Sequence, residues 1–348
     1  MTACSLRSVA TAVPPHTAEQ QITKEIGRRA FRGRAALFER LSSVFDNAEI
    51  ARRHLVAPLH WYEQEHGWAE RNAVYLEASE QLFEDAARRA IAAANLSPDQ
   101  IDGVVTVSTT GIATPSLEAR VGPRLGLRED IRRVPVFGLG CAGGVSGLAL
   151  SARLATSDPG TNWLFVTVET CSISIRLDSD DPAAIVATAL FGDGAAAAVV
   201  STSGDGVATL RNSAEKLWPD TLGIMGWRVE DPGLGVVFDR AIPPFIEDNL
   251  APAIDGMCRQ MDIAREDIDR FCCHPGGAKV IAAIETALDL NQGELNVERE
   301  VLRDFGNMSA PTVLFVLDRL LRAGLPETAL MTAFGPGFTC AGLLLDAA

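Results

Sequence analysis

The sequence predicts a layered α/β protein whose sheet carries helices on both faces. Two observations lead there. From residue 103 onward, short β-rich apolar runs alternate with stretches of helical period. Those runs, such as Gly103-Val104-Val105-Thr106-Val107-Ser108, show little polar alternation, as expected of strands covered on both sides. With 348 residues and 47% hydrophobic content, the chain can build two compact domains or one duplicated unit around a large core.

The first hundred residues read mostly as helix, with helical spacing over 20–41 and 75–94. Strand 103–108, helix 116–125 and strand 134–137 then suggest a parallel sheet. Helix 142–157, strand 163–168, helix 183–190 and the alanine-rich strand 195–201 continue the alternation. Small turn formers at 201–206 mark a join, giving an N-terminal unit 1–203 and a C-terminal unit 204–348. The second unit reads as helix 243–260, strand 268–273, helices 277–288 and 309–323, and strands 329–332 and 339–345. The stretches after Cys141 and after Asn307 look alike, each a polar or reactive residue entering a small-residue turn before an apolar helix.

The formal net charge of −14 argues against nonspecific nucleic-acid binding. No apolar run reaches the length of a membrane span, and the first residues lack a signal-peptide pattern, so a cytoplasmic enzyme is expected. The seven cysteines lack paired C-x-x-C spacing, which predicts reduced thiols and neither disulfides nor a metal site.

Cys141 lies in Phe137-Gly138-Leu139-Gly140-Cys141-Ala142-Gly143-Gly144, between a strand and a helix. Free N–H groups at that helix start would lower a thiol pKa, and the glycines let a substrate approach the backbone. A structural cysteine in a tight turn fits the same residues. Of five histidines, only His274 ends an apolar strand, where Pro275, Gly276 and Gly277 fix a turn beside it. Asn307 precedes another apolar helix and, taken alone, reads as an N-cap. Together the three suit carbon–carbon bond formation. A thiolate accepts an acyl group from a thioester, while an imidazole and an amide stabilise the enolate left when a malonyl thioester loses carbon dioxide.

At this point the chain resembles the chalcone and stilbene synthase family, the type III polyketide synthases, over nearly its whole length. The resemblance rests on Gly140-Cys141-Ala142-Gly143-Gly144, on Leu190-Phe191-Gly192-Asp193-Gly194, on His274-Pro275-Gly276-Gly277 with Gly306-Asn307-Met308-Ser309, and on Phe334-Gly335-Pro336-Gly337. It implies a homodimer with the five-layered αβαβα thiolase fold, made of two pseudo-repeated halves. It also implies Cys141 as nucleophile, His274 and Asn307 as the decarboxylation and oxyanion pair, and Phe191 as an aromatic gate. The substrate cavity would further involve Cys171, Ser174, Thr114, Trp227, Val236, Ser309, Gly335, Pro336 and Gly337. No cofactor is implied beyond the substrates, malonyl-CoA and an acyl-CoA or acyl-carrier thioester. Ala333 departs from the usual glycine of the last loop.

Cys171 and the stretch 223–238 resemble bacterial alkylresorcinol and alkylpyrone synthases, and Val236 in place of a second aromatic gate suggests a wide aliphatic passage for a fatty acyl starter. Arg40, Gly276 and Lys279 are the expected CoA contacts. Ser43 and Asn47 replace two of the family's basic residues, with Arg52 and Arg53 nearby as substitutes, so a carrier protein remains open as the starter donor. Other readings compatible with the residues are a tetrahydroxynaphthalene or phloroglucinol-type synthase, a ketoacyl-ACP synthase III, an HMG-CoA synthase, a cysteine hydrolase, and a nonenzymatic thiolase-fold partner.

Overall fold

In a computed structural model, which describes residues 4–176 and 181–348, nine strands form one mixed sheet. From edge to edge they are Arg270–Cys273, Thr328–Gly335, Thr339–Ala347, Ala208–Leu217, Cys4–Ala12, Asp193–Ser201, Asn162–Thr170, Gly103–Val107 and Arg132–Val136. The strand order reveals a duplication. Reading inward, Gly103–Val107, Asn162–Thr170, Asp193–Ser201 and Cys4–Ala12 are joined by one parallel and two antiparallel pairings. Arg270–Cys273, Thr328–Gly335, Thr339–Ala347 and Ala208–Leu217 repeat that order and those senses. The halves meet where Cys4–Ala12 pairs antiparallel with Ala208–Leu217, through Cys4–Leu210, Ser5–Thr209 and Leu6–Ala208.

Five layers follow from which face of each strand is covered. Helix Trp68–Ala93 buries Tyr75, Leu82, Phe83, Ala86 and Ala90, at helical spacing, against Val104, Leu164, Val166 and Val199. The alternate residues Val105, Val107, Phe165 and Val200 face the other way, onto helices Gly143–Ser157 and Pro311–Ala323. Met331, Ala333, Leu343 and Leu345 of the second half meet the same two helices from the opposite side. Helices Ile242–Met261 and Ala278–Ala287 cover the remaining face through Ile246, Leu250, Ile254, Ile281 and Ile284. The result is the αβαβα arrangement that the resemblance implies.

Two expectations change. The sheet is mixed, because the strand closing each half returns antiparallel. Helices Gln20–Ala30, Ala35–Leu41 and Trp68–Ala93 occupy the expected helical segments of the first hundred residues, but Cys4–Ala12 is a central strand, with Cys4, Leu6, Ser8, Ala10 and Ala12 buried at every second position. Most of those buried side chains are small, so their period was faint against the helical segments that follow. The hairpin Met225–Glu230 with Gly233–Phe238, and helix Asn296–Phe305, are likewise additions. All seven cysteines are buried and free, and no helix among the described residues is long and apolar enough to cross a membrane.

The two central helices approach too closely for side chains between them. A Cβ on Gly144 would lie 2.3 Å from the Ala310 carbonyl oxygen and 2.7 Å from Val313. Gly144→Val is therefore expected to lower the urea midpoint by the equivalent of about 1–3 kcal/mol or more. Gly223→Ala, where nothing lies within 4 Å, should leave the midpoint near wild type.

Candidate active site

Cys141 occupies a one-turn 3-10 helix, Gly140–Ala142, that leads directly into Gly143–Ser157. Gly140 enters the turn at φ +49°, in the left-handed region that glycine adopts without Cβ strain. Its N–H donates to Thr109 Oγ1 at 3.3 Å. The carboxylate of Glu169, fully buried, accepts from the Thr109 and Thr110 N–H groups at 3.0 Å and from Thr110 Oγ1 at 2.8 Å. A chain of hydrogen bonds thus runs from Glu169 through Thr109 to the turn that presents the thiol. Burial pushes Glu169 up to about 7, against the pull of those donors. Sequence reasoning assigned Glu169 no role, although its place at the end of an apolar strand just before Cys171 was the available signal.

The thiol of Cys141 donates to Ser309 Oγ at 3.4 Å and is 8% exposed. Burial pushes it up to about 12, assisted by the Glu169 charge and opposed by the Ser309 contact. The lowered thiol expected at a helix start is therefore not found here. Desolvation outweighs the partial positive charge of the turn.

His274 follows strand Arg270–Cys273, and its N–H donates to the Thr332 carbonyl at 2.8 Å. The imidazole is buried with no hydrogen-bond partner at either ring nitrogen. Burial alone lowers its pKa to about 3, so it is a neutral ring with one donor and one acceptor available. Asn307 lies between Gly306, at φ +70°, and helix Pro311–Ala323. Its Nδ2 donates to the Gly276 carbonyl at 3.0 Å, in the turn beside His274, and its Oδ1 accepts from the Ser309 N–H at 2.8 Å. Three hydrogen bonds therefore connect Cys141 to Ser309, Ser309 to Asn307, and Asn307 to the His274 turn.

Two further segments close around this chain. Gly335 and Pro336 sit on the Cys141 turn: a Cβ at Gly140 would lie 2.6 Å from Pro336 Cδ, and one at Gly335 would lie 2.6 Å from the Ala142 Cβ and the Leu139 carbonyl oxygen. Gly337 follows at the half-buried end of that loop. Phe191 forms a parallel bridge with Asn307, in which the Asn307 N–H donates to the Leu190 carbonyl at 2.8 Å and the Gly192 N–H to the Asn307 carbonyl at 3.0 Å.

Cys171, Phe191 and Val236 pack into one buried cluster, with Trp227 and Phe238 against it. Ser174 is buried alongside, its Oγ donating to the Cys171 carbonyl at 2.6 Å. Aromatic rings lie around Val236, where a wide aliphatic passage is expected. Trp227 pairs with Val236 across the hairpin, and the rings of Trp227 and Phe238 lie 5.9 and 5.5 Å from that of Phe191. Phe238, to which sequence reasoning gave no role, packs its ring on Phe191.

Thr114, expected at the cavity, is exposed before a cis Thr114–Pro115 bond and joins none of these clusters within the single chain. Of the expected CoA contacts, Arg40 and Lys279 are exposed on their helices and Gly276 is half-buried. Arg52 is exposed, whereas Arg53 is fully buried and so is not placed as a substitute CoA contact.

With the thiol raised to about 12 and the imidazole lowered to about 3, the proton stays on sulfur; His274 accepts it only where imidazolium and thiolate stabilise each other as an ion pair. Alkylation of Cys141 by iodoacetamide at pH 7, followed on its tryptic peptide, should be about a hundredfold slower in His274→Ala than in wild type. Equal rates would show that His274 does not act on the thiol.

Comparison with known proteins places this site in a family. Residues 3–204 match the family model for the N-terminal domain of chalcone and stilbene synthases, and residues 209–348 match that for the C-terminal domain. The chain is 37% identical to a 1,3,6,8-tetrahydroxynaphthalene synthase of Streptomyces peucetius subsp. caesius, over 98% of this chain and 92% of that one. It is 33% identical to a putative chalcone synthase of Bacillus subtilis strain 168, over 97% of both. The crystal structure of the 1,3,6,8-tetrahydroxynaphthalene synthase from Streptomyces coelicolor A3(2), a bacterial type III polyketide synthase, superposes with a TM-score of 0.93, covering 99% of each chain at 28% identity. With both family models matched and full-length relatives at this identity, the chain belongs to the chalcone and stilbene synthase family, the type III polyketide synthases.

Proposed function

We propose that the protein is a decarboxylating acyltransferase that builds a polyketide on Cys141 from malonyl-CoA and cyclises it. The observation that carries this reading is the hydrogen-bonded chain from Cys141 through Ser309 and Asn307 to the His274 turn. In the first step the Cys141 sulfur attacks a thioester carbonyl and the CoA thiol leaves, exchanging one thioester for another. In the second, malonyl-CoA loses carbon dioxide and the electron pair of the broken C–C bond becomes an enolate. The N–H of neutral His274 and the Nδ2 hydrogen of Asn307 not engaged by Gly276 are the donors for that oxygen. The enolate carbon then attacks the Cys141 thioester, and the extended chain leaves on CoA. No metal or cofactor enters these steps. Arg40 and Lys279 are the cations we assign to the CoA phosphates, and a homodimer is the assembly we expect.

For the product, we favour a compact aromatic polyketide of the tetrahydroxynaphthalene class, primed by malonyl-CoA or another short starter. Support comes from the relatives named for that activity and from the aromatic packing of Trp227 and Phe238 around Phe191. A fatty acyl starter leading to an alkylpyrone or alkylresorcinol is the second reading, favoured by the small side chains of Cys171 and Val236 in the same cluster.

Incubation with malonyl-CoA alone, then with acyl-CoAs from acetyl to palmitoyl, followed by mass spectrometry, distinguishes them. An aromatic product from malonyl-CoA alone is expected; turnover only with long-chain starters would establish the second reading. Cys141→Ala should show no acyl-enzyme by intact mass. Asn307→Ala should load as wild type does and His274→Ala should still load, only more slowly, and both should lose malonyl decarboxylation by about a hundredfold or more. Acyl transfer to Cys141→Ala would overturn the assignment.

A further inference from the structure

Among the described residues, Arg53 is the largest fully buried side chain, and it lies outside the chemistry described above. It belongs to strand Arg52–Leu55, which pairs with His16–Glu19. Its guanidinium donates through Nη1 to the carbonyls of Thr188, at 2.9 Å, and Phe191, at 3.1 Å. Nη2 donates to the Ala189 carbonyl at 2.8 Å and to Gln20 Oε1. These carbonyls are the last of helix Pro182–Leu190 and its C-cap, groups that have no partner within the helix. A cation there also complements the negative end of the helix dipole. Gln20 reinforces the clamp, its Nε2 donating to the Ala189 carbonyl at 3.1 Å and to the Phe45 carbonyl at 3.0 Å.

The clamped segment carries Phe191 and, through the two backbone hydrogen bonds of the Phe191–Asn307 bridge, Asn307. Space there is tight: a Cβ on Gly192 would lie 2.3 Å from the Phe305 carbonyl oxygen and 3.3 Å from Arg53 Cβ, and one on Gly306 would lie 3.6 Å from that same Cβ. Cys141 is held from elsewhere, by Thr109 and Glu169. Burial lowers the guanidinium to about 9, opposed by the charge of Asp193, so Arg53 stays a cation at neutral pH.

We infer that Arg53 is a positioning residue, fixing Phe191 and the Asn307 amide for malonyl decarboxylation while leaving acyl loading of Cys141 untouched. The inference rests on the proposed function, since it assigns Arg53 to one of the two half-reactions. A lysine in its place keeps a positive charge but has one nitrogen where three backbone carbonyls are now met by a planar fork. The segment then shifts, and a displacement on the order of 1 Å is enough to slow a positioned reaction by about a hundredfold.

The test measures two rates in Arg53→Lys: acylation of Cys141 by intact mass, and acetyl-CoA release from malonyl-CoA. Acylation within about twofold of wild type, with decarboxylation at least about tenfold slower, is the expected result. Equal losses in both rates, or no loss in either, would overturn the inference. Should Arg53→Lys fail to fold, Gln20→Met decides alone, because it removes one acceptor of the guanidinium and one donor to Ala189. The same split, about threefold or more, is expected there, and an unchanged ratio is fatal. A wild-type protein unable to decarboxylate malonyl-CoA sinks the functional reading and this inference together. An active wild type whose variants keep the wild-type ratio sinks the role of Arg53 only.

Discussion

The crossing of helices Gly143–Ser157 and Pro311–Ala323 at Gly144 is the constraint on which the rest of the molecule depends. With no Cβ at Gly144, the first turn of one helix rests on the Ala310 carbonyl that opens the other. Gly143 and Gly147 let the same helix press onto Val107 and Phe165 of the first half's sheet. The two turns leading into these helices are thereby brought together, and those turns carry Cys141 on one side and Asn307 and Ser309 on the other. A larger residue at the crossing would separate the reacting groups as surely as it would loosen the core.

Two buried carboxylates of the first half, Glu169 and Asp193, are received by backbone donors. Glu169 is surrounded by donors from Thr109 and Thr110, and Asp193 accepts from the Ser172 and Val56 N–H groups at 2.7 and 2.8 Å. These bonds offset desolvation that would otherwise neutralise a carboxylate, and what remains still raises Glu169 to about 7 and Asp193 to about 6. His274 stands apart, with two ring nitrogens unsatisfied in a buried place. Leaving both without partners is costly, and a ligand that meets them recovers that cost on binding.

Much of the second half of the fold was legible in the sequence, because its helices are amphipathic and its strands are bounded by glycine and proline. Helix Ile242–Met261 and helix Ala278–Ala287 fall within one residue or so of the expected bounds. The three central site residues were legible for a related reason: each sits at a strand or helix end marked by glycines. Strand Cys4–Ala12 was hidden by serine, alanine and arginine, whose alternation in burial depends on partners nearly two hundred residues away. Arg53 read as a substitute CoA contact because it stands beside Arg52 near the missing basic residues. Its burial is set by carbonyls at the end of another helix, and no local pattern records that. Phe238 and Glu169 were missed likewise, since what they touch is defined only by the hairpin and by the loop after Gly103–Val107.

The pairing of Cys4–Ala12 has a consequence for how the protein is made. The strand's neighbours are Asp193–Ser201 on one side and Ala208–Leu217 on the other. The strand is synthesised well before either partner, and until they emerge its edges are unpaired. Its modest side chains, with Arg7 among them, suit that delay: an exposed segment with a charge and little apolar bulk is a poor seed for pairing with other nascent chains. The features that made this strand hard to recognise also let it remain unpaired until the sheet around it exists.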